Sequence, residues 1–152
     1  MSVTMKITGF RDIEKALAKL PRGTAKGLAR RAMKKELKPV KDMADVFWPG
    51  SGTAFRISSA IKGRQRADSH AQHGPSITNM FVGSFERQAH LIEFGTGPRY
   101  QKSGKYVGAV SPQPMLQPAW DMNKHQVLDG LGNRMWEEIE KTQARRAKKA
   151  GK

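Results

Sequence analysis

Residues 89–120 read AHLIEFGTGPRYQKSGKYVGAVSPQPMLQPAW, and the order of signals in this stretch decides the kind of fold the chain can adopt. Ala89, Leu91, Ile92 and Phe94 are apolar at a spacing that suits a short helix over 87–94 better than strict alternation. Gly95 and Gly97, followed by Pro98, predict a sharp backbone turn, because glycine takes positive φ without steric cost. Residues 98–111 are polar and carry two tyrosines and three cations, which predicts a loop with a short strand at 106–110. Pro112, Pro114 and Pro118 then flank the start of a long amphipathic segment. Leu116, Ala119, Leu128, Leu131, Met135 and Ile139 recur three or four apart, or at multiples of that spacing, so a helix is expected from Pro114 to about Arg145. Gly130 and Gly132 each weaken that helix by about 1 kcal/mol relative to alanine, and leave room for a close crossing with another helix.

Working toward the N-terminus, residues 77–82 read as a strand closed by Gly83 and Ser84. Residues 64–76 are rich in Gln, His and Arg and predict a hairpin tip or loop. Phe55, Ile57 and Ile61 suit a strand over about 57–63, and residues 48–52, WPGSG, form a loop by composition. Before them lies a long amphipathic segment over 25–47, roughly 35 Å if fully helical. Ala25, Ala29, Ala32, Met33, Val40, Met43, Ala44 and Phe47 fall within one arc, and Arg30, Arg31, Lys34, Lys35, Lys38 and Lys41 face away from it. Pro39 conflicts with a straight helix, so a kink near Leu37 and Lys38, or two abutting helices, is expected. Glu36 sits inside the apolar arc, where an unpaired carboxylate is costly. It either pairs with a cation of this chain, the reading we favour, or marks a subunit contact. Residues 3–8 alternate apolar and polar as in a half-buried strand, and Phe10, Ile13, Leu17 and Leu20 mark a helix stopped by Pro21.

These elements add up to an α+β fold in which a small, mostly antiparallel sheet packs against two long amphipathic helices. A single domain over 1–143 is expected, followed by ARRAKKAGK at 144–152 as a basic flexible tail without core-forming residues. With 38% hydrophobic residues, the chain can fill one core. No apolar run is long enough to span a membrane, and MSVTMKITGF lacks the order of a signal peptide. The absence of cysteine removes disulfides, thiolate nucleophiles and cysteine zinc sites. A soluble product folding in a reducing cytoplasm is the expectation.

Twenty-eight Lys and Arg against thirteen Asp and Glu give a net charge of +15, which raises association rates with anionic partners and favours non-specific nucleic-acid binding. Candidate chemistry is sparse by comparison. His70 and His73 supply two ligands at most, too few for a closed metal site. His90 and Glu93 share a helix face, but Glu93 stands at a corner where a carboxylate can accept hydrogen bonds from free amides. No nucleophile elbow and no phosphate-binding glycine loop occurs. Neither enzymatic activity, nor a metal, nor a cofactor is expected.

The succession Glu93-Phe94-Gly95-Thr96 and Pro114-Met115-Leu116-Gln117-Pro118-Ala119 resembles the signature "(hydrophobic)-E-F-G-T … P-F-L-R-P-A" of the neck or tail-completion family of long-tailed bacteriophages, proteins similar in role to the lambdoid minor tail protein Z. The first half matches fully. In the second, Met115 and Gln117 stand where the family has Phe and Arg. The resemblance implies a structural virion protein that completes the top of the tail and joins it to the head, assembled in the host cytoplasm. Its partners would be copies of itself in a ring, sixfold to match a tail tube, together with connector or stopper, tail terminator and tail tube proteins, and DNA in the channel. Arg99, Tyr100, Lys102, Lys105 and Tyr106 interleave cations with aromatics, a pattern that suits a protein interface or unpaired bases. Given the resemblance, the 95–111 loop is expected to supply one side of the ring contact. The alternative is a basic nucleic-acid-binding protein that uses Arg30, Arg31, Lys34, Lys35, Lys38 and Lys41.

Overall fold

Pro39 divides what the hydrophobic pattern would otherwise make one helix. In the computed structural model, which describes residues 10–59 and 78–151, α1 (Phe10–Ala18) is followed by α2 (Arg22–Glu36) and α3 (Lys38–Phe47), with Leu37 as the residue between the last two. Pro39 lies in the first turn of α3, where its missing N–H has no intrahelical partner to lose. The two abutting helices are therefore the outcome, and the long segment over 25–47 is not one continuous helix. Then come β1 (Phe55–Ser58), β2 (Phe81–Ser84), α4 (Ala89–Phe94), β3 (Thr96–Tyr100), β4 (Tyr106–Val110) and α5 (Leu116–Ala150). The class is α+β. Among the described residues the strands pair as two separate antiparallel two-stranded sheets, β1–β2 and β3–β4. The strand expected at 3–8, the loop over 64–76 and its two histidines lie outside the described residues.

The described residues fall into two compact units. Of the described residues the first takes 10–36, 59, 78–80 and 125–151 and contains α1, α2 and most of α5. Its core joins Ile13, Leu20, Leu28, Ala32, Met135 and Ile139, with Leu17, Ala25, Ala29 and Leu131 packed around them. Leu28 and Ala32 are fully buried, and burying one leucine side chain contributes roughly 1.5–3 kcal/mol. Small residues at 25, 29 and 32 keep the buried stripe of α2 flat, so leucine and isoleucine from its neighbours can fill the space. Three ion pairs join α2 to α5 beside this core. Glu138, with 5% of its side chain exposed, takes Arg31 Nε at 2.9 Å and Lys35 Nζ at 2.6 Å. The hydrogen bonds from Lys35 and Arg31 hold its carboxyl down at about 2. Glu36 accepts from Arg134 Nε at 2.8 Å, the intramolecular pairing favoured above. A Cβ at Gly130 would meet the Glu36 carboxylate, so the absence of a side chain there makes room for that ion pair.

The second unit, Leu37–Ser58 and Phe81–Lys124, holds α3, both sheets, α4 and the first residues of α5. Strand β1 packs on α3 and pairs with β2, Phe55 opposite Ser84 and Ile57 opposite Val82. Phe55 is buried, and its ring meets Trp48 edge-on at 6.3 Å. Asp45 ties this region together. Its Oδ1 accepts the amides of Ala54 and Phe55 at 2.8 and 2.9 Å, and its Oδ2 accepts Lys41 Nζ at 2.7 Å. Burial pushes its carboxyl up, but the hydrogen bonds from Lys41 and the two amides outweigh that and leave it below the usual range. The loop after α3 thereby returns to the helix that precedes it.

Residues 144–150, expected to fray, continue α5 as helix through Ala150 with every side chain exposed. Alanine, lysine and arginine are good helix formers, and Lys148 and Lys149 sit where cations complement the helix dipole. No helix among the described residues is long and apolar enough to cross a membrane.

Candidate functional site

The two halves of the motif meet at Glu93. Met115, Leu116 and Gln117 open α5 with backbone N–H groups that have no partner within the helix. The Glu93 carboxylate, at the end of α4, accepts all three. Oε2 takes Met115 N at 2.8 Å, both oxygens lie 3.2 Å from Leu116 N, and Oε1 is 3.4 Å from Gln117 N. Pro118 follows and has no N–H to satisfy. Ala119 N then makes the first bond along the helix, to Met115 O at 3.2 Å. No donor of this first turn is left orphaned, and the negative charge sits at the positive end of the helix dipole. The amides that Glu93 serves are thus those of α5, not those of the glycine turn beside it.

The other motif residues serve the same junction. Gly95 has φ 71° and ψ −179°, a region essentially reserved for glycine. A Cβ there would lie 2.7 Å from Val110 O and 2.8 Å from Pro112. Thr96 Oγ1 accepts Val110 N at 3.0 Å, and Gln113 N donates to Ile92 O at 2.8 Å. Met115 and Ala119 are buried, Leu116 and Pro118 half-buried, and Pro114 exposed. Phe94 points the other way, with 80% of its surface in solvent.

From this junction β3 and β4 extend as an arm. The expected loop at 98–111 is therefore half strand: β4 lies where the sequence placed it, and β3 replaces the predicted turn after Gly97. Pairs form at Thr96 with Val110, Arg99 with Gly108 and Tyr100 with Tyr106, with irregular register between them. Gly104, at φ 82°, turns the tip, where Gln101 N donates to Lys105 O and Gly104 N to Gln101 O. The rings of Tyr100 and Tyr106 meet at 5.5 Å, tilted by 56°. Residues 97–107 are all exposed, so neither face of the ribbon is covered. Arg99, Lys102 and Lys105 are exposed and form no ion pair among the described residues.

The structure divides the basic stripe differently. Arg30, Arg31, Lys34 and Lys35 belong to α2 in the first unit, Lys38 and Lys41 to α3 in the second. Arg31 and Lys35 are drawn to Glu138, and Lys41 to Asp45 and Asp42. Arg30, Lys34 and Lys38 are the exposed members without such a bond among the described residues. Half of the proposed stripe therefore works inside the fold.

Sequence reasoning passed over Asp45 and Glu138. Glu138 carries the same signal that singled out Glu36: a carboxylate within the recurring pattern of Met135 and Ile139. Asp45 gave only a local hint, an acidic residue just before a proline- and glycine-rich loop. The second unit also exposes apolar side chains besides Phe94, among them Val46 and Met122. Among the described residues no group of three or more His, Asp or Glu side chains could hold a metal ion. The chain matches no protein-family model, no curated protein and no solved structure.

Proposed function

We propose that this chain is a structural virion protein of a long-tailed bacteriophage, a neck component that completes the top of the tail and joins it to the head. The observation that carries the reading is the Glu93 junction. Residues far apart in sequence that make up the two halves of the motif are joined there by one carboxylate and three amides. A pattern spread over two short segments is thereby accounted for as one physical object: a buttressed corner that holds an exposed ribbon and an exposed phenylalanine in fixed positions. Such a corner suits a subunit that works by shape.

In this reading copies form a closed ring, six to match a tail tube, through a heterologous contact in which one patch meets a different patch on the next copy. Phe94, Val46 and Met122 are among the exposed apolar side chains available for such contacts, and connector and tail terminator proteins would cover the ring's two faces. The protein has no catalytic step to perform. Gold labelling of the C-terminal end of α5 in purified virions tests the proposal. Label at the head–tail junction is the expected result. Label elsewhere, or virions that lack the protein yet carry attached tails, would overturn it.

A further inference from the structure

We propose that the β3–β4 arm is a binding element for duplex DNA, with Arg99, Lys102 and Lys105 meeting phosphates as the ribbon lies along a groove. This inference concerns the chemistry of the arm and holds wherever the protein assembles. Three observations favour it.

Charge is the first. Between Glu93 and Asp121 the chain holds Arg99, Lys102 and Lys105 and no Asp or Glu. None of the three cations is taken by a carboxylate among the described residues. Of the helical cations, Arg31, Lys35 and Lys41 are held in the fold, whereas Arg30, Lys34 and Lys38, and Arg145, Arg146, Lys148 and Lys149 near the end of α5, form no ion pair among the described residues. The arm thus gathers three unpaired cations on a narrow ribbon and not on a helix face.

Shape is the second. Residues 97–107 are exposed on both faces of a two-stranded ribbon. Paired strands lie about 4.8 Å apart, and the major groove of B-DNA, about 12 Å wide, admits such a ribbon with its side chains. A flat protein surface would cover only one face and leave the other bare.

The third is the chemistry of the tip. Gln101, Lys102, Ser103 and Lys105 offer donors at the turn, while the two tyrosines stay at its base in contact with each other. Pro98 and the irregular register of the ribbon also blunt its edges against addition of another strand, which leaves recognition to side chains.

The test uses the full chain and a fluorescent duplex of about 30 base pairs, with anisotropy titrations between about 50 and 200 mM NaCl. The parent's log affinity should fall linearly with log salt. The triple variant Arg99→Ala, Lys102→Ala, Lys105→Ala should flatten that slope by about 2.7, which is about 0.9 for each phosphate that no longer meets a cation. The variant Arg30→Ala, Lys34→Ala, Lys38→Ala removes equal charge and should keep the slope within about 0.9 of the parent. Circular dichroism and urea unfolding check that both variants fold. If the arm triple variant unfolds, Lys102→Gln with Lys105→Gln serves in its place, with an expected flattening of about 1.8. Failure of the parent to bind at about 100 mM salt, or an equal loss in the arm and helix variants, would overturn the proposal. So would an oligoglutamate peptide that binds more tightly than the duplex with the same dependence on the arm, since the partner would then be an acidic protein surface.

Discussion

Removal of the Glu93 carboxylate should cost the second unit more than any exposed charge could. In Glu93→Ala three amides lose their acceptor. Loss of a helix cap costs about 0.5–2 kcal/mol, and loss of a negative charge at a helix N-terminus costs about 0.3–2 kcal/mol. Met115 is 1% exposed, so water cannot readily replace the carboxylate at its amide, and an unpaired buried donor costs about 1–3 kcal/mol. These effects overlap, which places the expected loss at about 2–4 kcal/mol. Glu93→Gln keeps one acceptor oxygen but loses the charge and turns an NH₂ toward donors, so about 1–2 kcal/mol is expected. Urea unfolding at neutral pH, followed by circular dichroism, gives the totals. Amide hydrogen exchange at Met115, Leu116 and Gln117 gives the local reading: protection there should collapse in Glu93→Ala while the amides of α2 stay protected. An alanine variant within about 0.5 kcal/mol of the parent, with these three amides still protected, would refute the reasoning.

Three further outcomes follow from the geometry. Glu138 has its carboxyl held at about 2, well below the ordinary 4.5, so it contributes stability above about pH 4.5 that is lost as pH falls toward 2. The full shift corresponds to about 3 kcal/mol, reduced to about 2 because both cations stand half in water. Glu138→Gln should accordingly trail the parent by that amount at pH 7, keep about half of the gap near pH 3 and converge with it only near pH 2, and a gap that does not change with pH in urea titrations would contradict the ion pair. Gly95→Ala should cost about 1–3 kcal/mol in the same assay, since its backbone angles and the Val110 oxygen both reject a side chain; an unchanged midpoint would remove the constraint. Gly130→Ala should stabilise by up to about 1 kcal/mol once Glu36 is alanine, yet gain little or lose stability beside the native Glu36. Equal effects in both backgrounds would show that the carboxylate does not use the space.

The elements that bury a face were legible in the sequence. The helices over 10–18 and 89–94, the long helix beginning near Leu116 and the break at Pro39 all follow from apolar spacing and proline chemistry. Strand β3 was not legible, because its five residues TGPRY bury almost nothing, and alternation is visible only when one face is covered. Leu28, the most buried leucine, escaped the arc drawn through its alanine neighbours, and Val127 escaped the stripe drawn through Leu128 and Leu131. Charge was legible as a total and illegible in its allocation. The sequence marks Arg31 and Lys35 no differently from Arg30 and Lys34, and only the approach of α5 shows which two meet Glu138. The site behaved likewise: the importance of Glu93 could be read from its place in the motif, while its partners lay more than twenty residues downstream.

The feet of the arm are fastened by groups that the ribbon itself does not contain. Glu93 grips α5, and Gln113 grips Ile92, whatever residues run between them. Doubling the length of a tethered excursion adds only about 0.6 kcal/mol of closure entropy. The ribbon could therefore lengthen, shorten or change its charges over evolutionary time while the scaffold beneath it stayed intact, so one body could be refitted to new counterparts by rewriting about ten residues.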